Sequence, residues 1–186
     1  MVQTSHRFFV AASMLAASAL FVVSAHAAFG NASNAAVSFL ASGPGGLKIE
    51  GKTNALTVSE AAGKVRFVVP LGGLNTGIGL RDSHMRDKYL EVGKFPNAEL
   101  TIDRSALKLP ADGQSSAGQA AGTLTIHGQS KPVDVGYQAK RNGNTFDISG
   151  SLRINIKDYG VNVPSYLGVT VKPEVDVNLS ARVQDL

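Results

Sequence analysis

Apolar and polar residues alternate along most of the chain after residue 36. The clearest example runs from Phe146 to Lys157, where the even positions are apolar residues or glycine and the odd positions are polar. The stretch from Val175 to Val183 repeats the pattern, and shorter copies occur at 64–70 and 98–103. A period of two places successive side chains on opposite faces of a β-strand. These stretches therefore predict antiparallel strands with one buried and one solvated face.

Eight strand segments are expected in total, separated by turn residues, and they make this an all-β chain. We place them at residues 37–40, 47–59, 64–70, 98–103, 122–127, 133–137, 146–157 and 175–183. The second is expected to bend near Gly51, where the parity of the apolar positions changes. Residues 110–119 are expected to form a polar loop. A sandwich or a barrel fits this spacing; we favour an eight-stranded antiparallel β-barrel, because closure removes exposed sheet edges.

One stretch, residues 76–96, breaks the period of two. Met85, Tyr89 and Val92 recur there at the spacing of one helix face. Glycine and proline residues bound the stretch on both sides. The pattern predicts a short helix at about 82–91, with its apolar face closing one end of the barrel.

The N-terminal residues predict a secretory signal peptide. An uncharged apolar run at 8–25 follows one basic residue, and Ala25-His26-Ala27 is a small-x-small cleavage site, so cleavage is expected between Ala27 and Ala28. A transmembrane anchor is the alternative, since a span needs about 20 residues. Residues 1–27 are thus assigned to the signal peptide and 28–186 to a single domain. The absence of cysteine excludes disulfides and a lipoprotein anchor.

Charge adds little to this picture. Residues 28–186 carry 17 basic and 14 acidic side chains, a net charge of +3, and these are scattered singly along the sequence. Nucleic-acid binding requires a basic stripe with aromatic residues on which bases stack. The sequence shows neither, so no nucleic-acid partner is expected.

Candidate catalytic and metal-ligating residues are few. Only His84 and His127 follow residue 27, without cysteine or an H-E-x-x-H spacing, which argues against a metal site. His127 is expected to be at the surface or locally hydrogen-bonded. His84 lies near Asp82, and this pair leaves a hydrolase or isomerase as an alternative; Asp82 or Ser83 is expected to cap the helix. No G-x-S-x-G elbow marks a nucleophilic serine. We therefore predict no catalytic residue, and we also predict no metal and no cofactor.

Three motifs, in this order, resemble those of the YceI-like family. They are TGIGLRDSHMRDKYLEVGKFPNAEL, GTLTIHGQSKPVDV and GSLRINIKDYGV. The resemblance extends from about residue 37 to residue 183. The chain lacks the Asp-x-x-His-Ser opening of many relatives, and Tyr89-Leu90 stands where many have two phenylalanines.

The resemblance implies a lipocalin-like barrel exported to the periplasm of a Gram-negative bacterium. Such a barrel would hold a long-chain isoprenoid lipid, a polyprenol or an isoprenoid quinone, in an apolar tunnel for transport, storage or sequestration, without catalysis. The resemblance leaves open whether the protein makes a transient membrane contact and whether it forms a homodimer. The alternative is a fully packed barrel that serves as an interaction module for a membrane partner.

The resemblance also implies that the lipid is bound by inward-facing apolar side chains rather than by a polar pair. Small inward residues, Gly150 and Ala181, are expected to leave space for it. The expected lining residues are Phe39, Val65, Phe67, Val69, Met85, Tyr89, Leu100, Tyr137, Phe146, Ile148, Leu152 and Ile154.

Overall fold

The structure is a computed structural model that describes residues 28–30, 32–166 and 168–186, with the backbone alone at Tyr166. The expected signal peptide, including Ala27, lies outside the described residues. Among the described residues, no helix is long and apolar enough to span a membrane. The strands are β1 (Ser33–Ser42), β2 (Lys48–Thr53), β3 (Thr57–Ala61), β4 (Lys64–Pro70), β5 (Asn97–Asp103), β6 (Ser115–Ile126), β7 (Gln129–Asn142), β8 (Thr145–Asn155), β9 (Ser165–Tyr166), β10 (Val169–Thr170) and β11 (Glu174–Gln184).

Nine of these strands form one antiparallel sheet that curls into a half-barrel. Its order is β2-β1-β11-β8-β7-β6-β5-β4-β3, and β9 and β10 form a separate hairpin. The apolar faces of the long strands point into the concave side, where they form one core. The predicted all-β, antiparallel class is confirmed, and each of the eight predicted segments contributes to the sheet.

The second predicted segment is two strands rather than one bent strand. β2 pairs with β1 and β3 pairs with β4, so a break at residues 54–56 joins the two edges of the sheet. Near the break, Lys52 and Asn75 exchange two backbone hydrogen bonds of 2.9 and 3.0 Å. Gly51 lies within β2, where a Cβ would approach the Phe39 ring to 2.3 Å. Gly51 is therefore the site of a close ring contact, not of the bend.

Two further segments differ from the sequence prediction. Residues 115–119, expected in a polar loop, extend β6 and pair with residues 136–140 of β7. Partner strands supply the hydrogen bonds there, so pairing overrides the weak strand preference of Ser, Ala, Gly and Gln. The β9-β10 hairpin was not predicted, because strands of two residues are too short for a periodic pattern.

The predicted helix is present with shifted bounds. Helix α1 (Gly79–His84) begins three residues before the predicted start and continues into a single π-helical turn, Met85–Tyr89. Asp82 therefore lies inside α1 and does not cap its free amides.

Candidate functional site

The strand connections give the half-barrel two different ends. Tight turns at 62–63 and 143–144 lie at one end, together with the described terminal residues; we call this the closed end. The long connections 71–96 and 156–173 lie at the opposite end, with the turns at 43–47 and 127–128; we call this the mouth end.

Aromatic and aliphatic side chains fill the closed end. The rings of Phe29 and Phe146 meet edge to face with centroids 5.5 Å apart. Val65 and Val183 are completely buried beside Phe146, which is itself inaccessible to solvent. The Arg104 guanidinium lies 4.3 Å from the Phe29 ring centroid and covers it from outside.

A largely buried ion cluster fastens this end. Arg104 pairs with Glu60 and lies 3.5 Å from a carboxylate oxygen of Asp185. The Phe29 amide donates a hydrogen bond of 3.1 Å to Glu60. Buried charges are stable only when they are paired and hydrogen-bonded, as these are. The cluster and the aromatic plug together seal the closed end.

The mouth half of the half-barrel instead contains an apolar cavity of about 650 Å³. Ligand sites typically measure about 300–1,000 Å³ and are predominantly apolar. Seven strands of the sheet supply its walls, namely β1, β2, β4, β5, β6, β8 and β11, and the connections 71–90 and 156–171 supply most of the rest, together with Leu47 and Leu56. The apolar lining residues are Val37, Phe39, Ala41, Leu47, Ile49, Leu56, Phe67, Val69, Leu71, Leu74, Ile78, Leu80, Met85, Tyr89, Leu90, Ala98, Leu100, Leu124, Ile126, Leu152, Ile154, Ile156, Tyr159, Val161, Pro164, Val169, Val171, Val175, Val177 and Leu179.

The polar lining residues are Ser38, Thr76, Arg81, His84, Glu99 and Ser165; of these, Thr76 and Arg81 bond to each other at the start of α1. The Arg81 guanidinium donates to the Thr76 hydroxyl and carbonyl oxygens, each at 2.7 Å. Asp82 is buried and accepts from the Thr76 amide at 2.8 Å and from its hydroxyl at 2.5 Å. The hydrogen bond from the Thr76 hydroxyl holds the pKa of Asp82 below its usual value. These bonds tie α1 to Thr76, which directly follows Asn75, and Asn75 forms an antiparallel bridge with Lys52 at the edge of the sheet.

Helix α1 and the π-helical turn partly cover the mouth. Met85 and Tyr89 line the cavity, as the helical spacing predicted, whereas Val92 does not. Beyond the turn, Glu91 hydrogen-bonds His127 at 2.8 Å, and the His127 ring lies 4.4 Å from that of Phe95. Hydrogen bonds from Lys94 and then His127 lower the pKa of Glu91. His127 is thus locally hydrogen-bonded, and it fastens the covering segment to the β6-β7 turn.

Eight of the twelve expected lining residues lie on the cavity wall, and four do not. On the wall are Phe39, Phe67, Val69, Met85, Tyr89, Leu100, Leu152 and Ile154. Away from the wall are Val65, Tyr137, Phe146 and Ile148.

The four excluded residues face inward but lie too close to the closed end. Counted from that end, Val65 is the second residue of β4 and Phe146 is the second residue of β8. Ile148 lies two residues after Phe146 on the same face of β8. Tyr137 accepts a 2.7 Å hydrogen bond from the Lys108 amide through its hydroxyl, within the connection that covers this end.

Gly150 and Ala181 do not open the space expected of them. The side chain of Leu179 lies 3.3 Å from the position of a Cβ at Gly150, so a neighbour fills that site. Ala181 is buried in the core outside the cavity wall. The cavity is lined instead by the inward faces of the strands together with the long connections at the mouth end.

Sequence reasoning missed the lining residues supplied by these connections and by β11. Ile78, Leu80, Val169 and Val171 fall in stretches without a strand period, so they gave no directional signal. The available signal was the presence of large apolar residues in segments rich in glycine and proline. Tyr159 also belongs to this group, and burial raises the pKa of its phenol.

The His84–Asp82 pair of the catalytic alternative is not formed. Asp82 bonds to Thr76 and not to His84, which is exposed at the mouth. Within residues 28–30, 32–166 and 168–186, no three histidine or carboxylate side chains group closely enough to hold a metal ion.

Comparisons with known proteins identify relatives of this chain. It is 33% identical over 131 residues to the UPF0312 protein YE1254 of Yersinia enterocolitica, an alignment covering 66% of this chain and 62% of that protein. A UPF0312 protein of Yersinia pestis matches at the same identity and coverage. The match therefore spans less than two thirds of the length of these relatives.

Solved structures share the fold. A polyisoprenoid binding domain from Saccharophagus degradans, implicated in plant cell wall breakdown, gives a TM-score of 0.70 at 21% identity, covering 87% of this chain and 99% of that one. Burkholderia cenocepacia BcnA gives 0.63 at 18% identity, with 80% and 95% coverage. The profile of the YceI-like domain matches residues 19–183, nearly nine tenths of the sequence. The chain therefore belongs to the YceI-like domain family.

Proposed function

We propose that this protein binds a long-chain isoprenoid lipid, a polyprenol or an isoprenoid quinone, in the mouth-end cavity. The observation that carries the proposal is the cavity itself: about 650 Å³ lined almost entirely by aliphatic and aromatic side chains. Apolar surface removed from water contributes about 25 cal/mol per Å², so such a wall binds a hydrocarbon chain without specific polar contacts. The Saccharophagus relative of the same fold is described as a polyisoprenoid binding domain, which supports this choice of ligand.

The role proposed for the complex is that of a carrier or sequestering protein in the periplasm. An isoprenoid chain is insoluble in water, so its movement through an aqueous compartment requires a protein that covers it. The predicted signal peptide supports export to such a compartment. The alternative of a fully packed interaction module is disfavoured by the cavity.

Ligand extraction tests the proposal. The protein is purified from the organism's periplasmic fraction or from an expressing host, extracted with organic solvent, and analysed by mass spectrometry for polyprenols and quinones. We expect co-purified isoprenoid, or uptake of added polyprenol at about one molecule per protein. Protein that is empty and takes up neither lipid would refute the proposal.

A pair of tryptophan variants assigns the lipid to the cavity. Ala98 lies on the cavity wall, whereas Ala121 is exposed on the neighbouring β6 and lies off the wall. Ala98→Trp places an indole inside the cavity and is expected to lower lipid uptake at least fivefold. Ala121→Trp adds the same group outside and should bind as the wild type does. Equal uptake by both variants would place the lipid elsewhere.

A further inference from the structure

Exposed apolar side chains concentrate at the rim of the cavity. Among the described residues, five large apolar side chains are exposed, and four of them line the cavity: Leu47, Ile78, Leu80 and Val169. Ile78 and Leu80 are the most exposed of the four, at 52% and 61%. The fifth, Leu186, lies at the closed end. We call these four side chains the rim; they form an apolar surface continuous with the cavity wall.

The rim segments also carry the excess positive charge of the domain. Residues 43–48, 76–90 and 168–172 contain five basic side chains and two acidic ones, whereas the rest of 28–186 contains twelve of each. One of the two acids, Asp82, is buried and bonded to Thr76, and Arg81 bonds to the same threonine. The basic residues are Lys48, Arg81, Arg86, Lys88 and Lys172.

Backbone contacts hold these segments together. Lys48 pairs with Ser42 across β1 and β2, and the Ser42 carbonyl accepts a 2.6 Å hydrogen bond from the Lys172 amide. Residues 76–90 reach the same opening, because Ile78 and Leu80 line the same cavity as Leu47 and Val169. The three segments therefore bring exposed apolar side chains and basic residues to the same end of the half-barrel.

We propose that the rim docks on the surface of an anionic lipid bilayer. Apolar side chains enter the interface between head groups and acyl chains, while lysine and arginine attract anionic lipids. Docking in this orientation presents the cavity opening to the bilayer, so an apolar chain passes between them without crossing water. The inference goes beyond the proposed function, because the surface binds a bilayer whether or not the cavity holds a lipid.

Charge decides between a bilayer and a second copy of the chain as the occupant. Two copies that met rim to rim would bring like net charges together, which opposes association. An anionic bilayer has the opposite sign. The distribution of charge therefore favours the bilayer.

Vesicle sedimentation tests the proposal. The processed protein, with its N-terminus verified by intact mass, is mixed with vesicles of phosphatidylcholine alone or with 30% phosphatidylglycerol, and the bound fraction is measured at low and high salt. We expect binding to the anionic vesicles that weakens as salt screens the charges.

Matched variants locate the contact. Ile78→Asp with Leu80→Asp should lower partitioning at least tenfold, whereas Leu186→Asp, also exposed but at the closed end, should leave it unchanged. Arg86→Gln with Lys88→Gln should lower binding to anionic vesicles about 25-fold, at roughly fivefold per charge. Lys108→Gln with Lys140→Gln removes two charges near the closed end and should have much less effect.

Three results would overturn the proposal. The first is that the wild type does not bind anionic vesicles. The second is that the Ile78/Leu80 and Leu186 variants bind equally. The third is that light scattering shows a dimer which the Ile78/Leu80 substitution dissociates while vesicle binding is unchanged. Circular dichroism checks that each variant is folded. Lipid extraction is a separate measurement, so a protein that retains isoprenoid without binding vesicles would refute docking and leave the proposed function standing.

Discussion

The two ends of the half-barrel are built from the same strands, but one end is tightly packed and the other borders an open cavity. At the closed end, Phe29 and Phe146 interlock beneath Arg104, and a buried ion cluster holds them in place. At the mouth end, the same faces of β4, β5 and β8 border a cavity, and exposed apolar side chains form its rim. The difference lies in the longest connections, 71–96 and 156–173, which both lie at the mouth end.

This contrast assigns separate roles to similar residues. An apolar side chain near the closed end is surrounded by protein, so its loss leaves an unfilled hole. An apolar side chain near the mouth already borders open space, so its loss mainly changes what the cavity can hold. Stability and ligand binding should therefore respond to substitutions at opposite ends.

The largest contrast is expected between two phenylalanine truncations. Phe146→Ala should lower the free energy of unfolding by about 3–5 kcal/mol, because the ring is wholly buried and its removal leaves a cavity. Phe39→Ala, at a half-buried wall position, should cost about 1–2 kcal/mol and should weaken lipid retention instead. Urea denaturation measures both. Similar costs at the two positions would show that the mouth half is as tightly packed as the closed end.

The next contrast concerns ion pairs. Glu60→Gln should cost about 2 kcal/mol, since it leaves the largely buried Arg104 with Asp185 as its remaining acid in the cluster. At the mouth end, Asp176 pairs with Arg153 at 2.6 Å, but both side chains are well exposed. Asp176→Asn should therefore be within experimental error of the wild type by the same denaturation assay. A larger loss of stability from Asp176→Asn than from Glu60→Gln would contradict the conclusion that the ion cluster fastens the closed end.

Much of the fold could be predicted from the alternation of residues. A period of two assigns each side chain to a face, and the inward face of β8 was correct from Phe146 to Ile154. It could not show that residues 115–119 join β6, because Ser, Ala, Gly and Gln carry no face preference there. Their strand conformation depends on pairing with β7, which the local sequence does not encode.

The candidate site was harder to predict, because periodicity gives the face of a strand but not the depth along it. Val65 and Val69 alternate identically, yet the first is in the sealed core and the second is on the cavity wall. The lengths of the connections carry the missing information, since Val65 follows the tight Ala62-Gly63 turn and Val69 precedes the long 71–96 segment. The rim residue Leu80 was missed because it lies on the exposed side of a helix that occupies only six residues.

The smallest expected effect concerns the attachment of α1 at the mouth. Asp82→Ala removes the acceptor for the Thr76 amide and hydroxyl, and should cost about 1 kcal/mol at pH 7. The folded-state pKa of Asp82 lies below its ordinary value of 3.8, so its contribution is present above that pH and is lost as the pH falls through the lowered pKa. The difference in unfolding free energy between wild type and variant should therefore be constant from pH 7 to 5 and shrink below about pH 4.

Asp87→Ala, at an exposed position on the same covering segment, is the control and should show neither the cost nor the acid dependence. If Asp82→Ala behaves like Asp87→Ala at every pH, the Thr76 contacts do not hold α1 over the mouth.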